Sequence, residues 1–146
     1  MARAPAGSGR GRRGGLIRGR VLDPVYGRHF ELFANCATDE LRAALDRRPD
    51  TRGADRHDDD FWNPEDEPRG RSFELRFDDG REPRAFIWLR AWRGMATVPV
   101  LHHEVLHHAL TTFEAIGITV TDASDEALCY YVEFLTREAL LVLEGK

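Results

Sequence analysis

The sequence predicts an α+β fold, in which a small twisted antiparallel or mixed sheet packs against helices. Segments with alternating apolar residues come early in the chain, and the two longest segments with helical periodicity come last. Strands and helices do not alternate regularly, which argues against a parallel sheet built from β-α-β units. The length of 146 residues is that of one domain.

The first twenty residues are predicted to form a flexible basic arm, so that the folded domain spans residues 21–146. This segment carries six arginines and six glycines and no acidic residue, and Leu16 and Ile17 are its only large aliphatic residues. Such a composition buries too little apolar surface to offset the entropy of ordering. It also lacks the apolar stretch of a signal peptide, so secretion is not indicated.

Charge and composition exclude several classes of function. The net charge of −4 argues against general nucleic-acid affinity of the folded part, and leaves only the arm as a candidate for such contacts. No apolar run reaches the roughly 18–20 residues that a membrane span needs. Two isolated cysteines, Cys36 and Cys129, do not suggest a disulfide framework, so an intracellular location with reduced thiols is expected.

The first elements after the arm are predicted to be two strands and a helix. The strands are Leu16–Leu22 and Arg28–Phe33, and the turn formers at residues 23–27 join them. A helix is expected from Thr38, which can cap it, to Arg47, before Pro49 stops it.

A polar, proline-rich loop and then a hairpin should follow. The loop is Asp50–Gly70, and its run Asp58–Asp60 is expected to be solvated. Ser72–Phe77 and Arg84–Trp92 alternate in hydrophobicity and flank turn formers at residues 78–80, which is the clearest hairpin pattern in the chain.

Two long helices complete the predicted fold. The first runs from Val98 to Ile116, with Thr97 as a candidate cap and Gly117 as the stop. The second begins near Ser124 and ends near Leu143.

The first of these helices carries the residues that indicate chemistry. Four of the six histidines lie in residues 102–108, HHEVLHH. On a helix, His107 falls about 40° and Glu104 about 100° from His103, so the three share one polar face. The apolar residues of the helix fall on the opposite side and are expected to face the core: Val105, Leu106, Ala109, Phe113 and Ile116.

This HExxH spacing predicts a zinc site. Two imidazole nitrogens one turn apart can both reach an ion at about 2.0–2.1 Å, so His103 and His107 are the expected ligands. Glu104 lies between them, where it can hold the water on the ion without binding the ion itself.

A site of this kind needs a third protein ligand. Candidates are the acidic residues at the start of the last helix, Asp122, Asp125 and Glu126, because a turn at residues 117–121 would send that helix back across the first. Glu126 stands nineteen positions after His107, close to the spacing of the gluzincin pattern. Acidic residues in a first helical turn are also common as caps or as partners of the helix dipole.

The stretch from His103 to Leu135 resembles small zincin-like metallopeptidases encoded by tailed bacteriophages and prophages, and the minigluzincin arrangement more generally. The similarity rests on the segments HEVLHHAL, GITV and SDEALCYY, with a weaker similarity in DPVYG, and covers about a quarter of the chain. It implies a short twisted sheet packed on the HExxH helix, with Glu126 completing the zinc site. It also implies a location in the host cytoplasm or in the virion, with phage structural proteins as partners.

The leading functional hypothesis is zinc-dependent hydrolysis of a peptide or protein substrate. Glu104 would take a proton from zinc-bound water and later protonate the leaving amine. The strand Ala85–Ala91 is predicted to be the edge on which an extended peptide pairs. The alternative is a catalytically silent phage assembly or interaction protein that is stabilised by zinc, with a fourth protein ligand such as His102, His108 or Asp122.

Three further residues near the motif are secondary candidates. Tyr130 lies one turn after Glu126 and could polarise an oxyanion, although core packing is the commoner role of such a tyrosine. His108 is expected to lie behind the metal ligands or at the surface, as is His102. Asp125 is a candidate neighbour of the site that could instead stabilise the start of its helix.

Overall fold

The computed structural model of the protein describes residues 14–55 and 68–146. These residues form an α+β structure, as predicted, with five strands and three α-helices: β1 Ile17–Val21, β2 Phe30–Ala34, α1 Thr38–Asp46, β3 Ala54–Asp55, β4 Gly70–Phe77, β5 Arg84–Leu89, α2 Val98–Ala115 and α3 Asp125–Leu143. Short 3-10 turns at Pro49–Thr51 and Gly94–Thr97 follow α1 and precede α2.

The five strands form one mixed sheet in the order β1-β2-β5-β4-β3. The two predicted hairpins, β1–β2 and β4–β5, are both antiparallel pairs. They join through a parallel pairing of β2 with β5, in which Phe30 lies opposite Ala85 and Ala34 opposite Leu89. This parallel pairing was not predicted, because each hairpin is visible in local sequence whereas the contact between them is not.

Both faces of the sheet are covered. On one face, Leu32 of β2 and Ile87 of β5 pack in a buried cluster with Val105 of α2 and Leu135 of α3. On the other face, Phe33 and its neighbours on β5, Phe86 and Trp88, pack with two residues of α1, Leu41 and Leu45. Every residue of β2 is therefore buried, as expected for a strand between two layers.

The helix that carries the HExxH motif faces the core largely as predicted. Val105, Ala109 and Phe113 are fully buried. The prediction for Ile116 is wrong, because α2 ends at Ala115 and Ile116 is a 42% exposed cap residue. Gly117 follows with a positive φ of 76°, the left-handed conformation that commonly ends a helix.

Several predicted boundaries need correction. β1 takes in Ile17–Arg20, so the predicted arm extends four residues too far; residues 1–13 lie outside the described part of the chain. The segment predicted as a loop after Asp50 contains β3, which pairs with the end of β4. The predicted solvated run Asp58–Asp60 lies outside the described residues.

The end of α3 crosses β1 at a glycine. A Cβ atom added to Gly19 would stand 2.3 Å from Cγ1 of Val142. Only a residue without a side chain allows this close approach of helix and strand. Among the helices of the described segments, none combines the length and the apolar character that crossing a bilayer requires.

Candidate metal centre

Two histidines on adjacent turns of α2 form a pair that matches the geometry of a metal site. His103 and His107 are both exposed, and their Nε2 atoms are 3.1 Å apart. Their rings meet edge to face, with 4.7 Å between centroids. A tetrahedral ion bound at about 2.0–2.1 Å places two nitrogen ligands about 3.3–3.4 Å apart. The pair therefore fits two positions of a zinc site with almost no movement.

Glu104 lies beside this pair but is turned towards the sheet. The residue is only 6% exposed, and its carboxylate faces the backbone N–H of Ser72 in β4. Burial raises the pKa of the Glu104 carboxyl, and the nearby Ser72 N–H and the two neighbouring imidazoles offset part of that rise. A carboxylate with a raised pKa is a stronger base than a solvated one.

The sheet order corrects the predicted docking strand for a peptide. β5 lies between β2 and β4, so Ala85–Ala91 does not form an edge. In the described part of the chain β4 pairs with β3 at Arg76 and Phe77. Within the same residues, Gly70–Leu75 of β4 has a strand partner on one side only, and its other side, called the open side below, borders α2; residues 56–67, which link β3 to β4, lie outside the described residues.

The hydrogen-bond pattern shows which backbone groups face the open side of β4. The N–H of Arg90 donates to the carbonyl oxygen of Arg69 at 2.9 Å, so Arg69 and every second residue after it face β5. Gly70, Ser72 and Glu74 then direct their backbone groups away from the sheet. The Ser72 N–H is the one that faces the Glu104 carboxylate.

The predicted third ligand lies apart from the histidine pair in this structure. Glu126 is exposed in the first turn of α3, and its carboxylate accepts a hydrogen bond from the hydroxyl of Tyr130 at 3.3 Å. Within residues 14–55 and 68–146, no three His, Cys, Asp or Glu side chains come together as a metal-binding group. The role of Glu126 as a ligand remains a prediction.

The secondary candidates occupy varied positions. Tyr130 is 64% exposed, so the alternative of core packing is wrong for this residue. Asp125 is exposed, and its side chain accepts the N–H of Glu126 at 2.6 Å, a contact within the helix start. His102 is exposed, with Nδ1 3.4 Å from the hydroxyl oxygen of Thr136 on α3.

His108 is buried on the core side of α2. Its Nε2 lies 3.1 Å from the carbonyl oxygen of Arg28, and its ring packs against Phe30 at 4.8 Å between centroids. Burial lowers the pKa of this imidazole, which favours the neutral form. These contacts anchor α2 to the segment that leads into β2.

A buried carboxylate in the turn between β1 and β2 was missed in the sequence. Asp23 is fully buried and accepts hydrogen bonds from the N–H groups of Val25, Tyr26 and Arg28 at 2.9–3.1 Å. It also accepts the hydroxyl of Tyr131 on α3 at 2.8 Å. The motif DPVYG thus ties the β1–β2 turn to the last helix, and its sequence signal was read only as a turn.

Comparisons with protein-family models, with curated proteins and with solved structures give no match to this chain. The case for a function depends on the geometry of the histidine pair, Glu104 and the edge of β4.

Proposed function

We propose that this protein is a zinc-dependent hydrolase of peptide bonds with a zincin-like packing of sheet and helices. The observation that carries the proposal is the pair of imidazoles at ligand spacing next to a buried carboxylate, Glu104, at the edge of a sheet. Each part has a separate use in peptide hydrolysis: two ligands, one base, and a strand edge for the substrate. The HEVLHHAL and SDEALCYY similarities support the same class.

Zinc, when bound, supplies Lewis-acid polarisation of a carbonyl and a lowered pKa for water. His103 and His107 would hold the ion, since their Nε2 atoms lie 3.1 Å apart. Glu104 accepts a proton from the attacking water and returns it to the leaving amine, and such general acid–base catalysis contributes typically about 10²–10⁴-fold to the rate. The proposal keeps Glu126 as the third ligand, which requires the start of α3 to bring its carboxylate to the histidine pair, because the three side chains do not come together in the described residues.

The open side of β4 is the proposed docking edge for the substrate. A peptide that pairs with Gly70, Ser72 and Glu74 extends the sheet by one strand and passes directly over the first turns of α2. The Ser72 N–H, one of these pairing groups, also faces the Glu104 carboxylate. The base and the reacting carbonyl group then meet at one point on the strand.

The proposed origin in a phage or prophage, with a structural protein of the virion as substrate or partner, is supported by the motif similarity. The chemistry proposed for the site does not depend on this origin.

The central test is the variant Glu104→Gln. We expect it to bind zinc as the unchanged protein does, because both imidazoles remain, and to lose hydrolysis by at least about 100-fold, because the amide accepts no proton. Zinc content is measured by plasma mass spectrometry, and cleavage by mass spectrometry of a broad peptide mixture.

Glu114→Gln is the matched control, since Glu114 is an exposed glutamate on the same helix. It should retain full activity. Equal cleavage rates for the Glu104→Gln variant and the unchanged protein would exclude Glu104 as the base.

A further inference from the structure

Arg28, in the segment between β1 and β2, connects the helix of the histidine pair to β4. Its carbonyl oxygen lies 3.1 Å from Nε2 of His108 on α2, and because a carbonyl oxygen only accepts, the imidazole donates this hydrogen bond. The guanidinium of Arg28 forms an ion pair with Glu74 of β4. One residue therefore bonds to the helix through its backbone and to the strand through its side chain.

The contacts of Arg28 are largely enclosed. The side chains of Arg28 and Glu74 are 25% and 12% exposed, and His108 is buried. The N–H of Arg28 donates to the buried carboxylate of Asp23 at 3.0 Å, which also fixes the backbone. Nε of Arg28 is buried and has no hydrogen-bond partner among the described residues. A buried donor without a partner costs stability, so stability alone does not account for the position of this side chain.

These contacts lie one turn further along α2 than the approach of Glu104 to Ser72. His108 follows Glu104 by about 6 Å along the helix, and Glu74 follows Ser72 by about 6.8 Å along the strand. The side chains of Ser72 and Glu74 face α2, because their partners on β5 belong to the buried cluster shared with that helix. The two approaches are therefore neighbours in one contact between helix and strand.

Directional bonds are needed to fix the rotation of α2 about its own axis. Val105, Ala109 and Phe113 pack against the sheet, but apolar packing has no preferred direction, whereas a hydrogen bond weakens when its angle changes. A small rotation of α2 would move Glu104 away from β4. The bond of His108 to Arg28 opposes this movement.

We propose that His108, Arg28 and Glu74 form a clamp that holds α2 against β4 and thereby positions Glu104, the base of the proposed reaction. This inference rests on the proposed peptidase function for its effect on catalysis. The three are positioning residues, whose side chains act through Glu104 and not by contact with the reacting groups. A misplacement of about 1 Å can lower a rate by about 100-fold, so loss of the clamp should lower kcat.

The first measurement needs neither zinc nor substrate. Hydrogen exchange of the Ser72 amide, followed by NMR in the full chain, reports how closely Glu104 approaches β4. We expect Glu74→Gln to speed this exchange by about tenfold or more, because Arg28 loses its charged partner and α2 is held less tightly. The amide of Leu32, on the buried strand β2, is the reference for global unfolding, and its exchange should change less.

The second measurement is the cleavage of one peptide by the zinc-loaded protein, chosen from those cleaved in a broad mixture. Glu74→Gln should lower kcat by about tenfold or more and change KM little, because the base is displaced while the backbone of the docking edge remains. Arg76→Ala is the matched control, since Arg76 also approaches Glu74, at 3.7 Å, but is 75% exposed and lies on β4 itself. It should leave both kcat and the Ser72 exchange unchanged.

Conservative variants separate positioning from general stability. His108→Gln keeps an N–H donor and Arg28→Lys keeps a cation for Glu74, so they should retain more activity than His108→Leu and Arg28→Ala. Circular dichroism shows that each variant is folded at the assay temperature, and bound zinc should be equal in all of them. A structural role alone would lower the melting temperature without changing the exchange of Ser72 relative to that of Leu32.

The outcomes distinguish the two proposals. Unchanged exchange of Ser72 in Glu74→Gln, or faster exchange with an unchanged kcat, would overturn the clamp and leave the peptidase proposal standing. Absence of cleavage by the unchanged protein would overturn the peptidase proposal and the catalytic effect of the clamp with it. The exchange of Ser72 then still decides whether these residues hold Glu104 against β4.

Discussion

At the scale of single residues, the proposal assigns Glu126 of the last helix as the third zinc ligand. We expect Glu126→Gln to weaken zinc binding by at least about 100-fold, because a neutral amide replaces a charged ligand. Asp125→Asn is the matched control, since it also replaces a carboxylate by an amide, at the adjacent residue. Competition with a fluorescent zinc chelator measures both affinities. Equal affinities in the two variants would mean that another group completes the site.

The buried carboxylate of Asp23 should make the protein sensitive to acid. Burial alone would raise the pKa of Asp23, but hydrogen bonds from Tyr26, Tyr131, Arg28 and Val25 outweigh it, and the net pKa lies below the ordinary 3.8. A carboxyl with a lowered folded-state pKa stabilises the fold above its unfolded-state pKa, and that contribution disappears as the pH falls through the folded-state value.

Asp23→Asn tests this dependence. The variant should be less stable than the unchanged protein at pH 7, by about 1–3 kcal/mol. The reason is that the hydrogen bonds to the charged carboxylate are replaced by weaker bonds to a neutral amide. Its free energy of unfolding should also fall less steeply between pH 5 and pH 2, as measured by urea denaturation at a series of pH values. If the free energy of unfolding falls equally with pH in the two proteins, Asp23 is not a source of the acid sensitivity.

At the scale of the elements, the crossing of α3 over β1 depends on Gly19. Gly19→Ala should destabilise the fold by about 1–3 kcal/mol, because the new methyl group meets Val142 Cγ1 in a packed contact. Thermal unfolding monitored by circular dichroism measures the loss. The double variant Gly19→Ala with Val142→Ala should recover part of it, since the second change makes room for the first. An unaltered melting curve for Gly19→Ala alone would show that the helix end shifts freely.

The elements differ in how well they could be predicted from the sequence. The two hairpins, α2 and α3 were predicted within a few residues, because period-two and helical patterns are local properties. The His103–His107 pair was predicted for the same reason: four residues on a helix fix their spacing.

Contacts between distant segments were not predictable in this way. The approach of the Glu104 carboxylate to the Ser72 N–H brings together two elements whose relative position depends on the whole sheet. The bond from Tyr131 to Asp23 spans 108 positions along the chain. The interior position of β5 follows from the parallel β2–β5 pairing, and no local pattern in either strand marks its neighbour.

At the scale of the whole molecule, the fold should persist without zinc. Both faces of the sheet are closed by buried side chains, whereas His103 and His107 lie at the surface. Chelation should therefore abolish hydrolysis while the far-ultraviolet circular dichroism stays unchanged. The free energy of unfolding should fall only by the linkage contribution, which is about 2.7 kcal/mol at a zinc concentration 100 times Kd.

This experiment also addresses the alternative of a catalytically silent protein stabilised by structural zinc. Unfolding on addition of chelator would favour that alternative. The His103→Ala variant serves as the control, since its melting curve should not respond to added zinc.

The parallel pairing of β2 with β5 has a consequence for the folding of the chain. Each hairpin can close early, since its strands are near neighbours in sequence, but the parallel pairing joins residues more than fifty positions apart. Docking of the two hairpins is then the slow, entropically costly event, and substitutions in Leu32 or Ile87 should retard refolding more than those at the rim of the sheet. The proposed ligands His103 and His107 lie on the helix that follows β5, so the surface proposed to bind zinc forms only when that docking is complete.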